Sequence, residues 1–268
     1  MECSPPSHDV AEALPCRSGD ASLVAVVTVE ICVADEAGAV AAIAGGADRI
    51  ELCAALEAGG LTPSLALLER VLARARPAGV EVHAMVRPRA GDFAYDADEL
   101  ALAIAEGQAL VGAGADGLVF GACRGAWLDE AALADFADAH AGTRLTLHRA
   151  IDLVADPVAA VGTVIALRYE RILSSGGAAT ADEGADTLRR MVERAAGRCR
   201  IAAGSGVRAD NVAGLIARTG VDHVHGSASL PGPPVDARVV ALGFAVGPRR
   251  MTDREAVAAL CAAASKPV

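Results

Sequence analysis

GGADRIELC, residues 45–53, holds a helix end and a strand start within nine positions. Gly46 fits the position just past a helix C-terminus, where glycine is the natural residue. Arg49 to Cys53 then reads as a short β-rich run. The same punctuation recurs as Gly114-Ala115-Asp116 and Gly220-Val221-Asp222, each time just before another such run. From Asp48 to Asp116 is 68 residues, room for two strand–helix units. From Asp116 to Asp222 is 106, room for four. The three runs are therefore the second, fourth and eighth strands of one series.

Working outward, the sequence predicts strands over 24–33, 49–53, 80–86, 117–120, 144–148, 171–174, 200–203 and 222–225. Ala/Leu-rich helical patterns separate them, over 35–44, 64–76, 96–111, 129–140, 156–167, 181–196 and 209–218. A last helix over 252–264 follows the proline-rich stretch 231–234. Strands alternating with helices imply βαβ units and a parallel sheet. Eight units imply a single (β/α)₈ barrel, with a doubly wound open sheet as the alternative. No linker interrupts the series, so residues 23–268 are expected to form one barrel domain. Residues 1–22 lack the basic start and apolar centre of a signal peptide and are expected to be a disordered tail.

Composition narrows the function classes. Hydrophobic residues make up 53% of the chain but aromatics only 3%, so the core should be aliphatic and closely packed. The net charge of -10 and the lack of a Lys/Arg block argue against nucleic acid. No segment reaches the apolar length of a spanning helix, so no membrane is expected and the protein reads as cytoplasmic. Seven cysteines, odd in number and without a CxxC pair, argue against a disulfide scaffold.

In such a barrel the functional residues sit at the C-terminal ends of strands and in the loops that follow. Strand alternation puts Glu30 and Cys32 on one face, and likewise Glu51 and Cys53. Sequential strands are usually neighbours, so two thiols and two carboxylates can meet at one barrel mouth. That set reads as a soft-metal site or a catalytic pocket, against the plainer reading that the cysteines fill barrel volume. The carboxylates are costly to bury unpaired, so Arg87, Arg149 or a bound ligand should face them. His148, with Arg149 and with Asp152 one turn on, forms an acid/base candidate. The plainer reading of His148, and of His223 and His225 on strand eight, is a hydrogen-bonded core histidine. Gly176 and Gly177, and Gly204-Ser205-Gly206, precede helix starts. With Arg87 and Arg149 they form a candidate anion site, unless they simply permit tight turns.

Several stretches together resemble the CutC family: VEICV (29–33), GGADRIELCAALEAGGLTPS (45–64), VRPRAGDFAY (86–95), LHRAIDLVADPVAA (147–160), RILSSGGAATADEGA (171–185) and GSGVRADNVAGLIARTG (204–220). Ala90 stands where the family pattern has glycine, and Ser205 interrupts its glycine-rich strand-seven loop. The resemblance implies a TIM-type barrel associated with copper handling and Cu(I) binding through cysteines. The matching cysteines are Cys32 and Cys53. The expected ligand is then Cu(I), with no nucleotide or organic cofactor and with self-association left open. The alternative is an enzyme acting on a small anionic metabolite. Glu30, Glu51 and His148 would then be its acid/base groups, and Arg87, Arg149 and the glycine loops its anion clamp.

Overall fold

The computed structural model describes residues 27–265. The expected tail, with Cys3 and Cys16, lies outside the described residues. Eight parallel strands form a closed barrel: β1 (Thr28–Val33), β2 (Arg49–Leu52), β3 (Glu81–Met85), β4 (Gly117–Phe120), β5 (Arg144–Leu147), β6 (Arg171–Ser174), β7 (Arg200–Ala203) and β8 (His223–Gly226). Each pairs with its successor, and β8 returns to β1. The helices that follow β1 to β7 are α1 (Glu36–Ala44), α2 (Leu65–Ala75), α3 (Ala97–Gly112), α4 (Glu130–Ala139), α5 (Pro157–Ala166), α6 (Ala185–Ala195) and α7 (Val212–Thr219). After β8 the terminal helix α8 (Arg254–Ala264) packs beside α1 and α7 and completes the ring.

The glycine–aspartate punctuation has a direct structural cause. Gly46, Gly114 and Gly220 all sit in the left-handed region, with φ of 90°, 101° and 73°, which closes the preceding helix. The aspartates then brace the strands. Asp48 Oδ2 accepts the Val29 N–H and Asp116 Oδ2 the Val82 N–H, both at 2.8 Å. Helix starts are equally local. Asp35, Ser64, Asp96, Asp129, Asp156 and Asp253 each accept an N–H of the first turn with the side chain. Helix α6 begins at Ala185 rather than 181, after a turn over residues 181–184, and α7 at Val212 rather than 209.

Alternation along the strands separates two interiors. Val29, Ile31, Ile50, Leu52, Val82, Leu118, Leu147, Ile172 and Val224 belong to the large apolar core shared with the helices. Burying each such side chain contributes about 1.5–3 kcal/mol. Residues of the opposite parity fill the barrel itself. There the apolar part is small: Cys53, Met85 and Val119, with Leu56 beside them. Cys32, Leu173 and Ala202 are buried at the same parity, and the other buried side chains are polar: Glu30, Arg49, Glu51, His83, Thr146 and Arg171. Branched apolar side chains usually fill this space.

Two ribbons were not anticipated: Cys123–Arg124 with Trp127–Leu128, and Ser229–Pro231 with Arg250–Thr252. A five-residue helix, Ala237–Ala241, lies within the second excursion.

Ala196 ends α6 with φ 48° and ψ 42°, a left-handed conformation that costs an L-residue about 1–2 kcal/mol. It is exposed, so its methyl group gains little from packing. We expect Ala196→Gly to stabilise the fold by about 0.5–1 kcal/mol, after allowing for the greater freedom of glycine when unfolded. Urea midpoints measure this, and an unchanged or lower midpoint would contradict it.

Candidate metal centre at the barrel mouth

Strand pairing sets the centre. Cys32 is opposite Glu51 across β1–β2, and Glu30 is opposite His225 across the β1–β8 seam. The Cys32 sulfur, a Glu51 carboxylate oxygen and a His225 ring nitrogen all lie within 4.8 Å of one another. Among the described residues, these three form the cluster whose spacing suits a metal ion.

Glu30 organises the histidine. Its Oε1 is 2.8 Å from His225 Nδ1, which leaves Nε2 facing Glu51 Oε2 at 3.8 Å. Glu30 Oε2 lies 3.5 Å from an Arg171 guanidinium nitrogen and 3.7 Å from one of Arg49. Burial alone would raise the Glu30 carboxyl. The hydrogen bond and charge of His225, with Arg171 and Arg49, more than offset it and hold the group well below the usual carboxylate range. The sequence-level expectation that Arg87 or Arg149 would face Glu30 is therefore corrected. Arg49 and Arg171, inward on β2 and β6, do so.

Glu51 is placed differently. Burial pushes its carboxyl up, and nearby Glu30 adds to this against the charge of His225. Oε2 accepts from the Cys53 thiol at 3.6 Å, while buried Oε1 has no protein partner. Burial works against a charge on His225, but Glu51, Cys32 and Glu30 around it drive the imidazole well above its ordinary value. Cys53 is fully buried behind Glu51, and its thiol is pushed up by burial and then by the Glu51 charge. It lies outside the three-donor cluster.

The other expected site residues lie elsewhere around the mouth. His148 is buried and accepts the Ala150 N–H through Nδ1, with its ring 4.6 Å from that of Phe93. Burial, helped by the Arg87 charge, lowers its pKa to about 3, so it is neutral. It touches neither Glu30 nor Glu51 through a hydrogen bond or ion pair. The Arg87 guanidinium donates to the carbonyls of Ala58, Gly60 and Gly91. Arg149 donates to Asp152 at 2.8 Å and to the Ser175 hydroxyl at 2.8 Å.

The glycine loops are also engaged within the chain. Asp152 accepts the N–H groups of Ser175 and Gly177 and the hydroxyls of Ser174 and Ser175. Gly176 donates its N–H to Ser174 Oγ, and Gly204 donates its own to the Ser174 carbonyl. Ser205, at φ 77°, donates its hydroxyl to the Ala179 carbonyl at 2.7 Å, and Gly206 follows at φ 72°. A carboxylate of the chain thus occupies the donors after β6 that were expected to cradle an external anion.

Sequence reasoning noticed His225 only as a strand-eight residue of pocket parity. Its contact with Glu30 spans 195 positions, and only barrel closure creates it. Arg49 and Arg171 were missed as site residues. Their one signal was charge at inward positions of apolar strands.

The CutC family profile matches residues 27–230. A CutC family protein of Rhizobium meliloti (strain 1021) is 46% identical over 242 residues, covering 90% of this chain and 97% of its own. One from Caulobacter vibrioides (strain NA1000 / CB15N) is 44% identical over 236 residues, covering 87% and 94%. Among solved structures, a Streptococcus agalactiae CutC protein, provisionally named for copper homeostasis, superposes with TM-score 0.72 at 28% identity. It covers 75% of this chain and 99% of that one. A thiamine phosphate pyrophosphorylase from Pyrococcus furiosus, at TM-score 0.56 and 13% identity, shares the barrel fold alone.

Proposed function

This chain belongs to the CutC family, and from that premise we propose that it is a cytoplasmic copper-handling protein that binds Cu(I) at the barrel mouth. The observation that carries the reading is the meeting of the Cys32 sulfur, the His225 nitrogen and the Glu51 oxygen within 4.8 Å. Cu(I) is soft and selects sulfur, with imidazole as a suitable second donor. The hydrogen bond from His225 Nδ1 to Glu30 fixes the ring so that Nε2 is the free ligand, the carboxylate–histidine arrangement common behind metal ligands. Cys53, bonded to Glu51, is the next thiol in line and is proposed as the supporting sulfur. The buried, unpartnered Glu51 Oε1 supports a cation at this place. The five described cysteines are free thiols.

The test is anaerobic competition against a Cu(I) chelator. Cys32→Ser should weaken binding at least about 100-fold and Cys53→Ser about 10-fold, by analogy with losses of metal-site partners. Cys261→Ser, on the terminal helix, should leave it unchanged. Wild-type affinity in the Cys32→Ser/Cys53→Ser double variant would refute the site.

A further inference from the structure

We infer that Cys32, Glu51 and His225 also form a site for a divalent cation of the Zn(II) class, with one coordination position left for a small oxygen donor. The inference rests on the metal-ligand reading of these three residues but not on copper.

Charge balance is the first argument. In the forms that bind a metal, a thiolate, a carboxylate and a neutral imidazole carry two negative charges together. A monovalent ion leaves one of them uncompensated in a buried setting, which is costly, whereas a divalent ion matches both. The neighbouring arginines are committed elsewhere. Arg49 and Arg171 make their ion pairs with Glu30, Glu81 and Glu170, and neither is ion-paired to Glu51. Glu51 is 3% exposed, and its Oε1 has no partner. His225 Nε2 faces Oε2 at 3.8 Å, while Oε1 is left for a ligand from outside the chain.

Donor chemistry is the second argument. A soft monovalent ion gains little from carboxylate, while Zn(II) accepts sulfur, nitrogen and oxygen together. The spacing also fits. Two bonds of about 2.1 Å at a tetrahedral angle put nitrogen and oxygen about 3.4 Å apart. His225 Nε2 and Glu51 Oε2 stand at 3.8 Å, so a shift of a few tenths of an ångström suffices.

The third argument concerns the open position. Structural zinc sites use four protein ligands, whereas sites that act on substrates keep three and a water. Three donors gather here among the described residues. The Cys53 thiol is directed to Glu51 instead. Cys32 is 9% exposed and the His225 side chain 11%, so the centre borders the solvent at the mouth. A cation held this way binds water or polarises the oxygen of a small carbonyl or carboxylate compound.

The experiment uses the full chain stripped of metal. Zn(II) affinity is measured by competition with a chromophoric chelator, and Cu(I) affinity is measured in parallel. We expect one equivalent of Zn(II), with at least about 100-fold weaker binding in both Cys32→Ser and Glu51→Gln. Glu51→Gln should change Cu(I) affinity less than about 5-fold. Co(II) in place of zinc should show a thiolate-to-metal charge-transfer band and four-coordinate visible bands that shift when azide is added. Cu(I) binding without Zn(II) binding, wild-type Zn(II) affinity in a folded Glu51→Gln, or a cobalt spectrum indifferent to azide would each overturn the inference and leave the copper reading standing. If neither metal binds, both readings fail. Should Glu51→Gln fold poorly, His225→Gln tests the same centre from β8, with loss of Zn(II) expected and retention fatal.

Discussion

Gly184→Ala is expected to destabilise the barrel by about 3 kcal/mol or more and to lower Tm by roughly 10 °C. Gly184 stands just before α6, where the loop after β6 folds back on itself. A Cβ at this position would lie 1.8 Å from the Ser175 carbonyl oxygen and 2.9 Å from the Gly176 Cα. Both are backbone atoms, so no rotamer change relieves the clash. The approach is reciprocal, since a Cβ on Gly176 would meet the Gly184 carbonyl oxygen. The loop cannot retreat cheaply, because Asp152 ties the Ser175 and Gly177 N–H groups. Two controls separate this clash from the general cost of losing a glycine. Gly177→Ala, at φ 73° with no contact nearer than 3.6 Å, should cost only about 1–2 kcal/mol. Gly214→Ala, inside α7 with open space around it, should stabilise by about 0.5–1 kcal/mol. Equilibrium urea unfolding of the three variants reads the order directly. A Gly184→Ala protein as stable as wild type would mean that the loop does not pack this way.

The second large effect is a loss of stability in mild acid. His83 and His148 are buried, and burial lowers both to about 3 from an ordinary 6.5, with the charge of Arg49 adding at His83 and that of Arg87 at His148. Below pH 6.5 the unfolded chain takes up a proton at each, while the folded chain does not. Stability from these two groups is therefore complete above pH 6.5 and falls as pH drops toward 3. Each proton is worth about 1.4 kcal/mol per pH unit. Glu51 acts in the opposite direction, because its raised carboxyl keeps in the fold a proton that an unfolded glutamate sheds above pH 4.5. His225 is protonated in both states below pH 6.5 and contributes nothing there. The net difference between pH 6 and 4.5 is one to two protons, so unfolding free energy should fall by about 1.4–2.8 kcal/mol per pH unit. His148→Gln should flatten that slope by about one proton. Urea midpoints equal at pH 7 and pH 5 would rule the account out.

The fold was legible because its signals are local. A glycine that closes a helix, an aspartate that braces the next strand and a capping Asp or Ser need only a few adjacent residues. Strand parity placed Glu30 with Cys32 and Glu51 with Cys53 for the same reason. The centre was only half legible, because its second half is a matter of closure. His225 reaches Glu30 across the seam, and Arg171 reaches it from β6. A loop's chemistry was harder still. The glycines after β6 look alike in sequence whether an external anion or Asp152 occupies their N–H groups.

The seam between β1 and β8 also dates the centre within the life of the molecule. At about 5–20 residues per second, Glu30 is synthesised roughly 10–40 s before His225. Seven strands can dock in that interval, yet the donor set does not exist until the eighth arrives and α8 covers it. Such long-range pairing is slow to form because its chain entropy is lost before any contact repays it. A nascent or truncated chain that ends before residue 225 holds Cys32 and Glu51 without their histidine. The proposed metal centre is thus complete only in the finished barrel, where Cys32, Glu51 and His225 meet.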